Sequence, residues 1–85
     1  MSTAPEKLAA VLRPYLPLLE ADEPLGIDAD LAGLGLDSMR TVQLLLQIEG
    51  TLDLTFADDD VRPETFATPR ALLDAIAATE ARRDR

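Results

Sequence analysis

The sequence predicts an all-α fold: a small bundle of four helices, three substantial and one short, with a long loop after the first. Three observations lead there. Apolar residues recur at helical spacing in segments starting near Leu8, Met39 and Leu72, while strand signals are poor. Helix-start patterns of Thr, Ser, Asp, Pro and Glu stand ahead of those segments. With 85 residues, 47% of them apolar, the chain is sized for one domain around one modest core.

The first helix is expected to open at Thr3-x-x-Glu6, a capping-box pattern with Pro5 in the tolerated first turn. Leu8, Val11, Leu12, Tyr15, Leu16 and Leu19 then line one face. Pro14 and Pro17 oppose a continuous helix, because each lacks a backbone donor and crowds the preceding turn. A break is expected near Arg13, with the apolar face continuing past it. Residues 20 to 37 read as a long loop interrupted by Pro24, Gly26, Gly33 and Gly35. Its Leu25, Ile27, Leu31, Leu34 and Leu36 should pack on the core. Loops of that length are uncommon and often functional.

The second helix is expected from Ser38 to about Leu52. Met39, Val42, Leu44, Leu45, Leu46, Ile48 and Leu52 cover a wide apolar arc, leaving Arg40, Gln43 and Gln47 as a narrow polar face. That predicts a mostly buried helix crowded with bulky side chains, with Gly50 weakening its last turn. Asp58-Asp59-Asp60 reads as a polar loop, and a short turn is expected around Pro63 to Phe66. Thr68 should cap a last helix with Pro69 at its first position and Leu72, Leu73, Ile76 and Ala77 as its apolar face. Ala81 to Arg85 lacks an apolar anchor and should fray. The single domain, 1–85, therefore has an expected ordered core of about residues 4–79.

Sixteen acidic residues against eight basic ones make a net charge of −8. Nucleic acid is not an expected partner, since phosphates want Lys and Arg. Basic patches on proteins are, with electrostatic steering of the encounter. No apolar run approaches the roughly 20 residues of a membrane span. The N-terminus has no basic segment followed by an apolar one, so neither export nor membrane insertion is expected. Cysteine is absent, so any thiol chemistry must come from a prosthetic group. Histidine is absent too, which removes the imidazole base of a serine hydrolase. Asp28-x-Asp30 and Asp58-Asp59-Asp60 lack the glycine and terminal glutamate of a calcium loop and read as turns. Gly33-x-Gly35 precedes no further glycine or lysine and reads as a flexible turn, not a phosphate cradle. No catalytic residue and no metal ligand is assigned.

The informative stretch is Leu34-Gly35-Leu36-Asp37-Ser38-Met39. It places the Ser38 hydroxyl at the start of the longest apolar-periodic run. A helix start offers unpaired N–H groups and the positive end of the helix dipole, so a phosphate on Ser38 would sit where an anion is favoured. The plain reading of such a serine is an N-cap.

The motif, the long loop before it, the wide apolar helix after it and the helix order resemble acyl and peptidyl carrier proteins over nearly the whole chain. The resemblance implies a carrier-protein bundle and a 4'-phosphopantetheine arm, taken from coenzyme A, on Ser38, with Asp37 in support. It implies no catalysis by this chain. A phosphopantetheinyl transferase with Mg²⁺ would direct the Ser38 oxygen onto the β-phosphorus of coenzyme A, releasing adenosine 3',5'-bisphosphate. An adenylating ligase or acyltransferase would load the thiol as a thioester, and a downstream synthase would consume it. The tether raises the cargo's effective concentration near those enzymes. Met39, Arg40, Gln43 and Leu44 would form the docking strip beside the arm.

Fatty-acid carriers usually have acids where this chain has Arg40 and Gln43. The segment from Asp37 to Glu49, and Phe66-Ala67-Thr68-Pro69, are more similar to D-alanyl carrier proteins. A cytoplasmic, monomeric aminoacyl carrier serving polyketide or nonribosomal peptide assembly is the expectation. The alternatives are a fatty-acid-type acyl carrier and an unmodified acidic interaction module.

Overall fold

A computed structural model describes residues 3–56 and 61–83. Three α-helices lie among them: α1 (Glu6–Leu12), α2 (Ser38–Leu52) and α3 (Pro69–Arg83). Two 3-10 turns, Arg13–Tyr15 and Pro63–Phe66, complete the expected all-α bundle, the second turn being its short fourth helix. Asp58-Asp59-Asp60 lies outside the described residues.

The capping box at Thr3 does not form. Pro5 is the N-cap residue of α1, and no side chain caps the helix. Thr3 makes a bridge with Gly26, and the Ala4 N–H donates to the Leu25 carbonyl at 2.8 Å. Ala4 precedes a proline and is thereby biased toward extended backbone, so residues 3 and 4 pair with the loop instead of entering the helix. The break near Arg13 is where it was expected. α1 stops at Leu12, and the apolar face carries on to the buried Leu16.

The long loop is packed and tied at several points. Leu25, Leu31 and Leu36 are buried, and Ile27 and Leu34 are half-buried against the same core. The Arg13 guanidinium donates to the carbonyls of Glu20, Ala21 and Glu23, at 3.3, 3.4 and 2.7 Å. The Leu31 N–H donates to Ala67 at 3.0 Å and the Arg70 N–H to Ile27 at 2.8 Å, which join the loop to the start of α3. Arg70 also grips both oxygens of Asp28, at 2.7 and 3.0 Å. That hydrogen bonding holds the Asp28 carboxyl below its ordinary range, with the guanidinium charge adding to it, and raises Arg70. Backbone groups buried by a packed loop need partners, and these contacts supply them.

α2 has the expected bounds but not the expected burial. Leu44 and Ile48 are buried and Leu45 is half-buried, whereas Met39, Val42, Leu46 and Leu52 are exposed. At about 100° per residue, Leu44 and Ile48 lie roughly opposite Met39, Val42 and Leu46. A three-helix core covers one side of α2, so only part of the wide arc is buried. Nor is α2 crowded against its neighbours throughout. An apolar groove of about 450 Å³ opens between the three helices, lined among others by Leu8, Val11, Ile48, Leu52, Leu73 and Ile76.

α3 starts as expected. The Thr68 hydroxyl oxygen accepts the Ala71 N–H at 3.1 Å, and Pro69 opens the helix. Leu72 and Ile76 are buried and Leu73 is half-buried, but Ala77 is exposed. Thr79 is buried instead, its hydroxyl donating to the Ala75 carbonyl at 2.9 Å, so the polar group goes in with a partner. Helical geometry continues through Arg83, past the residue 79 expected to end the ordered core.

Candidate functional site

The approach to Ser38 is built by the last turn of the long loop. Gly35 has φ +105°, a conformation that L side chains rarely adopt. A Cβ there would stand 2.7 and 2.8 Å from the Pro17 ring. Only glycine lets the chain pass this close to Pro17 and turn. Leu36 then anchors in the core, and its N–H returns to the Leu31 carbonyl at 3.0 Å. A tight turn ahead of the site and a buried leucine beside it aim the next two residues outward.

Asp37, not Ser38, is the N-cap. Its backbone is extended, and one carboxylate oxygen accepts the Arg40 N–H at 2.8 Å. Its carbonyl accepts the Thr41 N–H at 2.8 Å and the Thr41 hydroxyl at 2.7 Å. The other carboxylate oxygen meets the Arg40 guanidinium at 2.7 Å. Aspartate caps at least as well as serine and gains from the helix dipole, which decides between two adjacent candidates. The Arg40 N–H bonded to the carboxylate, helped by the guanidinium charge, holds the Asp37 carboxyl below its ordinary range.

Ser38 is therefore the first helical residue. It is exposed, and among the described residues its hydroxyl has no hydrogen-bond partner. The cap uses the third N–H of the helix, so the Ser38 and Met39 N–H groups stay open to solvent or an anion. The fit to a phosphate attached at Ser38 is good: a primary alcohol in the open, two free donors, and a helix start with no acid in its first turn. Beside it runs an open groove of about 600 Å³ between the loop and the Pro63–Phe66 turn. The adjacent Asp37 carboxylate is engaged by the Arg40 N–H and guanidinium rather than by the Ser38 hydroxyl.

The proposed docking residues separate. Met39 is 74% exposed and Gln43 is exposed, so both are accessible beside Ser38. Arg40 is half-buried and engaged with Asp37. Leu44 is 0% exposed and belongs to the core, which removes it from any docking strip. Val42 and Leu46 are 57% and 62% exposed on the same face as Met39. Their spacing from Met39, three and seven residues, carried that signal, but the sequence did not say which side of the arc would be covered.

The two comparisons agree with this geometry. The family model described as the phosphopantetheine attachment site matches residues 6–76. An aminoacyl carrier protein of Agrobacterium fabrum (strain C58 / ATCC 33970) is 39% identical over 49 residues, which are 58% of this chain and 59% of that protein. A D-alanyl carrier protein of Listeria innocua serovar 6a (strain ATCC BAA-680 / CLIP 11262) is 42% identical over 43 residues, 51% of this chain and 55% of that protein. The match thus spans a little over half the length of each of these curated relatives.

Proposed function

The chain belongs to the phosphopantetheine attachment-site family, and from that premise we propose that Ser38 anchors its 4'-phosphopantetheine group and that the cargo is an aminoacyl thioester. The family is non-catalytic and carries this group covalently. When bound, the group supplies a terminal thiol on a flexible arm.

The observation that carries the proposal is the free, exposed hydroxyl of Ser38 at the first position of α2. Attachment forms a bond from Ser38 Oγ to the β-phosphorus of coenzyme A and breaks the pyrophosphate linkage. Adenosine 3',5'-bisphosphate leaves, and the hydroxyl proton passes to a base of the transferase. Asp37 supports the step by fixing the helix start and so the direction of the hydroxyl. The open Ser38 and Met39 N–H groups and the helix dipole favour the resulting phosphodiester anion. Met39, Val42, Gln43 and Leu46 present an uncharged surface to the phosphopantetheinyl transferase, to an adenylating ligase or acyltransferase, and to a downstream synthase.

Support for an aminoacyl cargo comes from the two relatives, one named an aminoacyl and one a D-alanyl carrier protein. Helix α2 adds that Arg40 is the only charged residue from Ser38 to Ile48, so a partner's basic patch finds no acid there. Core crowding does not decide the cargo, because the 450 Å³ groove leaves apolar room. Service in polyketide or nonribosomal peptide assembly rests on the sequence resemblance alone. We place the work in the cytoplasm, where coenzyme A and ATP are supplied, and assign it to a monomer and a single carrier domain, 1–85. No helix among the described residues is long and apolar enough to cross a membrane.

The test offers the phosphopantetheinylated protein and ATP to a ligase that activates short amino acids and, separately, to one that activates fatty acids. Intact mass should show aminoacyl transfer and little octanoyl transfer. Efficient octanoylation with no aminoacylation would replace this reading with a fatty-acid-type carrier.

A further inference from the structure

Arg40 stands where helix electrostatics disfavour it. It is the third residue of α2, inside the first turn, where the positive end of the dipole repels a cation and favours an acid. No acid occupies that turn. The Arg40 backbone N–H reaches one Asp37 oxygen at 2.8 Å, and its guanidinium reaches the other at 2.7 Å. Capping needs only the first of these contacts. In the unmodified chain a bare Asp37 carboxylate would complement the dipole better than one cancelled by a guanidinium. The balance reverses once a second anion joins at Ser38. A helix start carries about half an elementary charge, which suits one anion and not two on consecutive residues. Asp30 and Arg62 also line the groove beside Ser38, but they are of opposite sign and leave its net charge unchanged. Arg13 is bonded to loop carbonyls and Arg70 to Asp28.

We propose that Arg40 is the standing counter-charge of the attachment site: by holding Asp37, it lets α2 keep its cap while Ser38 carries an anion. With the pair formed, an anion on Ser38 meets open N–H groups and a neutralised neighbour. Without it, the anion and the Asp37 carboxylate repel each other across one residue, and the cap loosens. Arg40 is thus a positioning residue that acts through Asp37. Both side chains are partly exposed, so the effect is modest and screened by salt. The biological meaning of this role rests on Ser38 being the anchor, but its test does not.

The test places a charge at this position chemically, on the full chain. Cysteine is absent, so the Ser38→Cys variant carries a single thiol. Its thiolate attacks a methanethiosulfonate reagent and forms a disulfide to a sulfonatoethyl or an uncharged hydroxyethyl group, with methanesulfinate leaving. Urea midpoints of the two grafted forms are compared in low salt. With Arg40 present, the two should nearly coincide. With Arg40→Gln added, the sulfonate form should unfold about 0.3–0.5 M urea before the hydroxyl form. That gap should close in high salt. Arg40→Lys should keep it small, since the charge remains. Asp37→Asn combined with Arg40→Gln should remove it, because asparagine still caps but carries no charge. A purely structural Arg40 would lower both grafted forms alike, and that result would overturn the proposal. A gap in Arg62→Gln as large as in Arg40→Gln would overturn it too, by giving the role to Arg62. A gap that survives Asp37→Asn would overturn the route through Asp37. The phosphopantetheinylated wild type and Arg40→Gln are compared in the same way, with intact mass reporting attachment. Failure to attach there would sink the Ser38 reading and leave the grafted result standing.

Discussion

Ser38 and Asp37 divide two jobs that adjacent residues could have shared. Asp37 caps α2 and is held by Arg40, while Ser38 keeps its hydroxyl free. A serine that capped the helix would have its oxygen turned back onto a backbone N–H; here the oxygen is free to react. Removal of the Ser38 hydroxyl should therefore leave the fold nearly untouched. Ser38→Ala is expected to change unfolding free energy in urea by no more than about 0.5 kcal/mol, as at an ordinary surface site. Asp37→Ala should lower helicity and stability, because it takes away the cap itself. Both Asp37 and Asp28 have folded pKa values held below their usual 3.8. Each thus adds stability that is fully present above the unfolded value and lost as pH falls through the folded one. Urea midpoints should fall as pH drops below about 4, and less so in Asp28→Asn, where one of the two contributions is gone.

At the scale of elements, the loop before α2 and the exposed face of α2 matter most for the site. Gly35→Ala forces a left-handed residue and a Cβ into the Pro17 ring, so it should cost more than about 1 kcal/mol and slow modification of Ser38 three residues on. Gly50 is the opposite case. It lies in α2 with open space where a Cβ would go, so Gly50→Ala should stabilise the protein by about 0.5–1 kcal/mol. Both are read from urea unfolding curves. Leu44 and Met39 contrast in the same way on one helix. Leu44→Ala opens a cavity in the core and should cost about 2–5 kcal/mol. Met39→Ala and Val42→Ala should leave the unfolding curve nearly unchanged and weaken acyl or aminoacyl loading, read as kcat/KM of the loading enzyme. Loading unchanged by both together would remove this face from the partner interface.

At the scale of the molecule, the order of the elements and several of their bounds were legible because they depend on local chemistry. Pro14 predicted the break after α1, Thr68-Pro69 the start of α3, and the apolar loop residues their burial. Tertiary contacts hid the rest. Thr3 looked like a cap but pairs with Gly26 across the long loop. The apolar arc of α2 was plain, yet which part would be covered depends on where α1 and α3 lie; hence the burial of Leu44 and the exposure of Val42 and Leu46 were not legible in it. The groove beside Ser38 has no local signature, since its walls come from the loop, the start of α2 and the Pro63–Phe66 turn. Ser38 was legible in its motif as the candidate anchor, but its freedom from capping was visible only in three dimensions. The central claim is that this hydroxyl is the attachment point. Its most direct measurement is intact mass of the wild-type chain and Ser38→Ala after incubation with coenzyme A, Mg²⁺ and a promiscuous phosphopantetheinyl transferase. The account predicts one added phosphopantetheinyl group on the wild type and none on the variant. An equal mass gain in Ser38→Ala would contradict it, as would an unmodified wild type, the behaviour of an acidic interaction module without an arm.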